Sequence, residues 1–162
     1  GVELPEIEYN DEMKKKESRR ARMLEINKEA AKYFYFQLKG PQGKIAQDYL
    51  NKRMLSEDTI KNFGLGFANK TSNDLALYLK SKGYTDDLIK DAGLASYSEK
   101  YGLGDKFWNR VMFPIQDINH RVIGFGGRVM GEGEPKYLNS PETEVFEKSR
   151  NLYGLNFART SR

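Results

Sequence analysis

Apolar positions in the first quarter of the chain fall three and four residues apart. Met23, Ile26, Ala30, Tyr33, Phe34 and Leu38 form one such series. That period predicts a helix over 13–39 with a single buried face. Gly40-Pro41 ends it, because glycine suits the position just past a helix and proline cannot continue one. Residues 1–12 carry Pro5 and five acids without a sustained period, which predicts a linker or a loosely packed arm. A second helix is predicted over 43–54, with Ile45, Ala46, Tyr49 and Leu50 inward. Lys52-Arg53 falls at its end, where cations complement the helix dipole. Ser56, Glu57 and Asp58 open a third helix, closed by Asn62-Phe63-Gly64.

Residues 65–68 read as a short strand. Ser72-Asn73-Asp74 caps a helix to Lys82 that buries Leu75, Tyr78 and Leu79. Thr85-Asp86-Asp87 caps another, with Leu88 and Ile89 inward, stopped by Asp91-Ala92-Gly93. Residues 94–97 read as a strand and 98–105 as a loop with Gly102 and Gly104. Beyond 106 the period changes to two. Val111, Phe113 and Ile115 alternate with Arg110, Met112 and Pro114, the signature of a strand. Asp117-Ile118-Asn119-His120 supplies turn chemistry, and 121–125 read as the return strand, ended by Gly126-Gly127. Val145-Phe146 is a core anchor, 152–154 a short strand and 155–162 a last helix. Helices and strands in this order predict an α+β fold, N-terminal helices packed on a small mixed or antiparallel sheet.

Composition narrows the chemistry. There is no Cys and a single His among 162 residues. That removes disulfides, thiolate catalysis, Cys-ligated zinc and any paired-His metal site. His120 sits in a predicted turn, so it reads as a turn residue rather than a base. No run is apolar enough to cross a bilayer, and the cysteine-free composition fits a cytoplasmic setting. No Asp-x-Asp pair or phosphate-loop Gly-Lys-Ser/Thr appears that would hold nucleotide-bound magnesium.

The net charge of +4 and pI near 9.1 permit an anionic partner without requiring one. Residues 14–22 hold six bases against one acid. This run reads as a solvated helix face in preference to a phosphate patch. The aromatic run 33–36 reads as core in preference to a stacking platform. The stronger signal is later. Arg110 and Arg128 bracket the hairpin, Lys136 and Tyr137 adjoin Pro135, and Asn139-Ser140 follows. A cation, an aromatic face and an amide together are what a single-stranded nucleic acid needs.

The segments RVMFPIQD, RVIGFGGRVM, PKYLNSPET, FEKSRNLYGL and, upstream, YLNKRMLSEDTIKNFGLGFA resemble, in that order and over roughly 43–158, the bacterial DnaG-type DNA primases. The resemblance implies the N-terminal subdomain of a primase RNA polymerase domain over 13–162. Residues 1–12 would then be a linker from a zinc-binding domain, and a metal-holding TOPRIM subdomain would follow. It implies Mg2+ or Mn2+ held by TOPRIM, Zn2+ held by the preceding domain, and no metal or catalytic residue in this stretch, which alone would be inactive. By motif position, the cleft residues it implies are Arg53, Arg110, Arg128, Lys136, Tyr137, Asn139 and Lys148. Arg128 and Lys136 would neutralise phosphates, Tyr137 would stack or pack beside a base, and Asn139 would donate a hydrogen bond. Gly126-Gly127 would let the backbone approach the strand. Lys106 stands where the family tends to be basic, and Trp108 where some relatives carry Arg. Implied partners are single-stranded DNA template, RNA–DNA hybrid, nucleoside triphosphates, the alarmones (p)ppGpp and, through a further domain, the replicative helicase, the protein being a monomer in the bacterial nucleoid. The alternative is a non-catalytic nucleotide-sensing or nucleic-acid-binding module built on the same groove.

Overall fold

Helix α1 (Glu3–Lys39) carries the rest of the molecule along one side. The structure, a computed structural model, describes residues 3–70, 73–131 and 133–147, with side chains from Asn10 onward. The periodic residues bury as their spacing predicts: Met23, Ile26, Ala30, Phe34 and Leu38 are all at most 2% exposed. The helix starts ten residues earlier than the apolar pattern predicts, so the loose arm expected over 1–12 is helical from Glu3. Pro5 falls in the first turn, where its missing N–H is not needed. Asp11 and Lys15, then Glu12 and Lys16, stand four apart with the acid first, the favourable order. Residues 10–22 are exposed throughout, so charge pattern rather than burial supports this part, and a search for apolar period does not see it.

A 3-10 turn (Pro41–Gly43) leads into α2 (Lys44–Lys52). Ala46 and Leu50 face inward, but Ile45 is 70% exposed, contrary to expectation. In so short a helix, successive residues are turned by about 100°, and the stripe set by Ala46 and Leu50 leaves Ile45 on the flank. Helix α3 (Glu57–Asn62) is capped as predicted, the Ser56 hydroxyl accepting the Thr59 N–H at 3.1 Å. Strand β1 (Gly66–Ala68) follows and lies directly on α1. A Cβ at Gly66 would sit 2.5 Å from the Cβ of Phe34, so only glycine permits this approach.

Helix α4 (Asp74–Ser81) is not capped by Asn73, whose side chain makes no such bond. The cap comes from thirty residues on. Asp105 accepts the N–H groups of Leu75 and Ala76, each at 2.9 Å. Burial raises the Asp105 pKa more than these two donors lower it. Helix α5 (Asp86–Asp91) uses Thr85 as predicted. Strand β2 (Ala95–Ser98) pairs antiparallel with β3 (Gly102–Asp105). The loop expected over 98–105 is therefore mostly strand; its two glycines carry no alternation to read.

Strands β4 (Arg110–Gln116), β5 (Val122–Val129) and β6 (Tyr137–Asn139) complete a four-stranded antiparallel sheet in the order β1-β4-β5-β6. The β4–β5 turn is held by the Asp117 carboxylate, which accepts from Asn119 N (2.9 Å), Arg121 N (3.0 Å) and Arg121 Nε (2.8 Å). Burial pushes the Asp117 carboxyl up, but these donors outweigh it and hold it below the usual range. His120 takes the left-handed conformation there, φ 63°, which supports its reading as a turn residue. The return strand does not stop at Gly126-Gly127; it runs through both to Val129.

One face of the sheet packs on α1, α4 and α5 around Phe34, Leu79, Ile89, Met112, Phe125 and Phe146. Phe34 meets Phe125 edge to face at 5.3 Å. Each such side chain contributes about 1.5–3 kcal/mol by burial. A second cluster, Leu38, Ala46, Leu50, Ile60, Phe67, Val111 and Met130, fastens α2 and α3 over one end of the opposite face. Val145 and Phe146 anchor the segment after β6 as expected. Lys148, the cap residue Ser72, the strand predicted over 152–154 and the helix over 155–162 lie outside the described residues.

Candidate nucleic-acid interface

Strand pairing fixes which side chains share the sheet face that α2 and α3 only partly cover. Arg128 stands opposite Val111 on one side and Tyr137 on the other. Gly126 stands opposite Phe113 and Asn139. Directly paired residues point the same way, so Phe113, Arg128, Tyr137 and Asn139 belong to one face. Val111 is buried under α2 while Tyr137 and Asn139 are exposed, which leaves the β5–β6 half open beside that helix.

The open half carries a chain of alternating cations and rings. The Arg53 guanidinium lies over the Tyr49 ring at 5.1 Å. Arg53 follows Tyr49 by one helical turn, the spacing that puts two side chains on one flank. The Tyr49 phenol adds to the raising of the Arg128 pKa. Arg128 lies over the Tyr137 ring at 5.1 Å, and its Nη1 donates to the Tyr137 hydroxyl. Partial burial works against the Arg128 charge, but the two phenols outweigh it and hold the guanidinium above its ordinary pKa. Among the described residues, no carboxylate lies within ion-pair distance of Arg53 or Arg128. Both cations therefore keep their full charge for an external anion.

The remaining residues predicted for the site divide. Arg110 is 5% exposed and does not join the open face. Its Nη1 donates to the carbonyls of Gly127 (3.2 Å) and Lys136 (3.4 Å), tying β4 to β5 and to the entry of β6. Burial pulls its pKa down. Lys136 is exposed, and its carbonyl also accepts the Val129 N–H. Strand alternation assigns Lys136 to the side of the ribbon opposite Tyr137, at the sheet edge.

The glycines do not offer bare backbone to a ligand. A Cβ at Gly126 would fall 2.2 Å from the Phe113 ring, and one at Gly127 would meet Met112, Arg110 and Phe107. They make room for the protein's own side chains. Tyr49, which the apolar pattern assigns to the core, and half-buried Phe113 are the site residues sequence reasoning misses. The signal for Tyr49 was its position one turn before Arg53.

The long basic run on α1 is built differently. Arg19 is held by Asp91 and Glu144, and Arg20 donates to the Glu144 carbonyl. Arg22 pairs with Glu25 at 3.2 Å. Trp108 is exposed. Among the described residues, no group of three or more His, Asp or Glu side chains comes together to hold a metal ion, and no helix is long and apolar enough to cross a membrane.

An α+β module with an open strip of cations and aromatic rings carries the side-chain types that suit a phosphate polymer. Residues 33–159 match the family described as DNA primase catalytic core, N-terminal domain. The chain belongs to that family of bacterial primases. It is 45% identical over 137 residues to a DNA primase of Clostridium acetobutylicum, covering 85% of this chain and 22% of the relative. To a DNA primase of Salmonella typhimurium it is 49% identical over 123 residues, 75% of this chain and 21% of the relative. It thus spans between a fifth and a quarter of the curated relatives it matches. Among solved structures it resembles a DnaG primase catalytic domain bound to single-stranded DNA, with TM-score 0.77, 37% identity and coverage of 87% of this chain and 46% of that one. It also resembles the RNA polymerase domain of Mycobacterium tuberculosis DnaG, with TM-score 0.76, 32% identity and coverage of 80% and 43%.

Proposed function

We propose that this chain grips the nucleic-acid strand in a primase that makes short RNA primers for DNA replication. Arg53 and Arg128 neutralise phosphates of a single-stranded template or of the nascent RNA–DNA hybrid. Tyr137 offers its outer edge or face to a base, and Asn139 donates a hydrogen bond two positions along the same strand. Lys136 adds charge from the sheet edge, and Lys148 a further cation. Arg110 acts from beneath by fixing the main chain that carries Tyr137. The observation that carries this reading is the Arg128 guanidinium, held by the Tyr137 phenol and ring and by no described carboxylate. The resemblance to a primase domain solved with single-stranded DNA supports it.

The transfer of a nucleotidyl group needs Mg2+ or Mn2+ to stabilise charge on the reacting phosphate. The described residues do not fit such an ion, and a TOPRIM subdomain supplies it in this reading. Residues 13–162 then form the N-terminal subdomain of the polymerase core. Residues 1–12 lead from a domain that holds Zn2+. The nucleoside triphosphates, alarmone inhibitors and replicative helicase meet the whole cytoplasmic enzyme.

Filter binding of single-stranded DNA over a salt series tests the grip. Arg128→Ala is expected to weaken binding by about tenfold and to lower the log–log salt slope by about 0.7. Lys136→Ala is expected to weaken it less. Tight binding of guanosine tetraphosphate with no affinity for oligonucleotides would sink the strand-gripping role and favour a nucleotide sensor.

A further inference from the structure

Strand β4 turns Val111, Phe113 and Ile115 to the side of the sheet that carries Arg128. Val111 and Ile115 are buried, and Phe113 is only half-buried. Val111 lies in the cluster under α2. Ile115 is paired with Gly124, where a Cβ would meet Phe146 at 3.1 Å and Ser140 at 3.2 Å. Phe113 therefore occupies a gap between two covered rungs of the ladder. Among the described residues it belongs to neither core cluster. Nor does its ring meet another ring or a cation there. A ring so placed adds less by burial than one in the core, so packing alone gives little reason for it.

The ring lies over β5. Its ladder partner is Gly126, and a Cβ there would fall 2.2 Å from Phe113 Cε2 and 2.6 Å from Cζ. Any larger residue at 126 would push the ring away from the sheet. Asn139 stands on the far side of Gly126. Adjacent strands are about 4.8 Å apart, so a ring that reaches over Gly126 closes much of the distance from β4 to Asn139. The backbone at Asn139 is fixed by its neighbour. Fully buried Ser140 donates its N–H to the Phe125 carbonyl at 2.7 Å, and its hydroxyl accepts the Phe125 N–H at 2.8 Å. Arg128 stands two residues along β5 from Gly126, about 7 Å away.

We infer that Phe113 is the seat of a nucleobase: its ring stacks on one base of a single strand, with the Asn139 amide at the edge of that base and Arg128 at its phosphate. This rests on the strand-gripping reading above and gives the grip a part that charge does not supply. An unpaired base has a free face to lay on an aromatic ring and a free edge to meet an amide. In a duplex, stacking and pairing occupy both, so the seat favours single strands. The occupant is a base because the same open face carries the Arg128 guanidinium, with no described carboxylate in ion-pair distance. A base brings its phosphate to that cation.

The test sets two probes side by side. One is a single-stranded oligodeoxynucleotide. The other is an oligomer of equal length made of abasic deoxyribose phosphate. Each is titrated over a salt series, and thermal melting reports stability. Phe113→Leu removes the π-face and keeps an apolar side chain. It is expected to weaken binding of the natural strand by about tenfold. The log–log salt slope should stay unchanged, because no phosphate contact is lost. On the abasic oligomer Phe113→Leu is expected to match the unaltered chain. If Phe113→Leu melts early, Phe113→Met fills the space with a more adaptable side chain, and the same differences are expected of it. An equal loss on both oligomers would assign the ring to packing and overturn the seat. The seat is also overturned, while the strand grip stands, if Phe113→Leu binds the natural strand as tightly as the unaltered chain and Arg128→Ala does not. If Arg128→Ala leaves both probes bound as before, the grip falls and the seat with it.

Discussion

Two basic regions of this molecule look alike in composition and differ in what surrounds them. Residues 14–22 hold six cations on consecutive turns of α1. Among the described residues, the strip on α2, β5 and β6 has only Arg53 and Arg128, with Lys136 at the sheet edge on the other side of the ribbon. In the first region the arginines meet carboxylates and a carbonyl: Arg19 with Asp91 and Glu144, Arg20 with the Glu144 carbonyl, Arg22 with Glu25. In the second they meet tyrosine rings and hydroxyls. A carboxylate cancels the charge it orders. A phenol orders the charge and leaves it. For the arginines, the kind of partner therefore separates the two regions where charge density along the sequence does not. Arg121, bound by Asp117, belongs with the first kind.

The comparison is broken most severely by removing what holds the strip in line. Phe125→Ala empties the space against Phe34 beneath β5 and is expected to destabilise the fold by about 3–5 kcal/mol. Urea denaturation measures it, and oligonucleotide binding should fall with it because β5 carries Arg128. A sharper test replaces Arg19 and Arg20 together by alanine and sets the result beside Arg128→Ala. The α1 pair is expected to leave affinity for single-stranded DNA within about twofold and to lower stability by less than about 1 kcal/mol, since exposed ion pairs contribute little. An affinity loss as large as that of Arg128→Ala would erase the distinction between the regions.

The smallest effect is acid dependence in the β4–β5 turn. The folded Asp117 carboxyl lies below its ordinary value of 3.8. A depressed carboxylate adds stability above the unfolded value and loses it as pH falls from there through the folded one. Stability measured downward from about pH 5 should thus decline less steeply in Asp117→Asn than in the unaltered chain. An identical slope in both would remove this contribution.

The helices with a clear apolar stripe were legible in the sequence, as were the caps at Ser56 and Thr85 and the β4–β5 hairpin. Each depends on residues near one another in the chain. What was not legible depends on distant partners. Asp105 caps α4 across thirty residues, and nothing local to either segment announces it. Strand β3 is Gly-Leu-Gly-Asp, which has no alternation and pairs only because β2 is there. The exposed first half of α1 is supported by charge spacing, which an apolar period does not register. At the site, the motifs named Arg128, Tyr137 and Asn139, which strand pairing puts on one face, and Arg53 at the end of α2. They could not separate these from Arg110, because a sequence shows that an arginine is present and not whether carbonyls surround it. Tyr49 was hidden for the converse reason: its ring belongs partly to the core while also lying under the Arg53 guanidinium.

The buried Arg110 has a mechanical implication. Strand β6 is three residues long and forms the outer margin of its sheet, so by itself it would peel away under a modest pull on Tyr137. The guanidinium of Arg110 holds the Lys136 carbonyl at the root of that strand, and the Gly127 carbonyl of β5, from β4, which is seven residues long and flanked on both sides. Tension applied at the rim is thereby transmitted to the middle of the sheet, and the rim can bear a load that its own three residues could not.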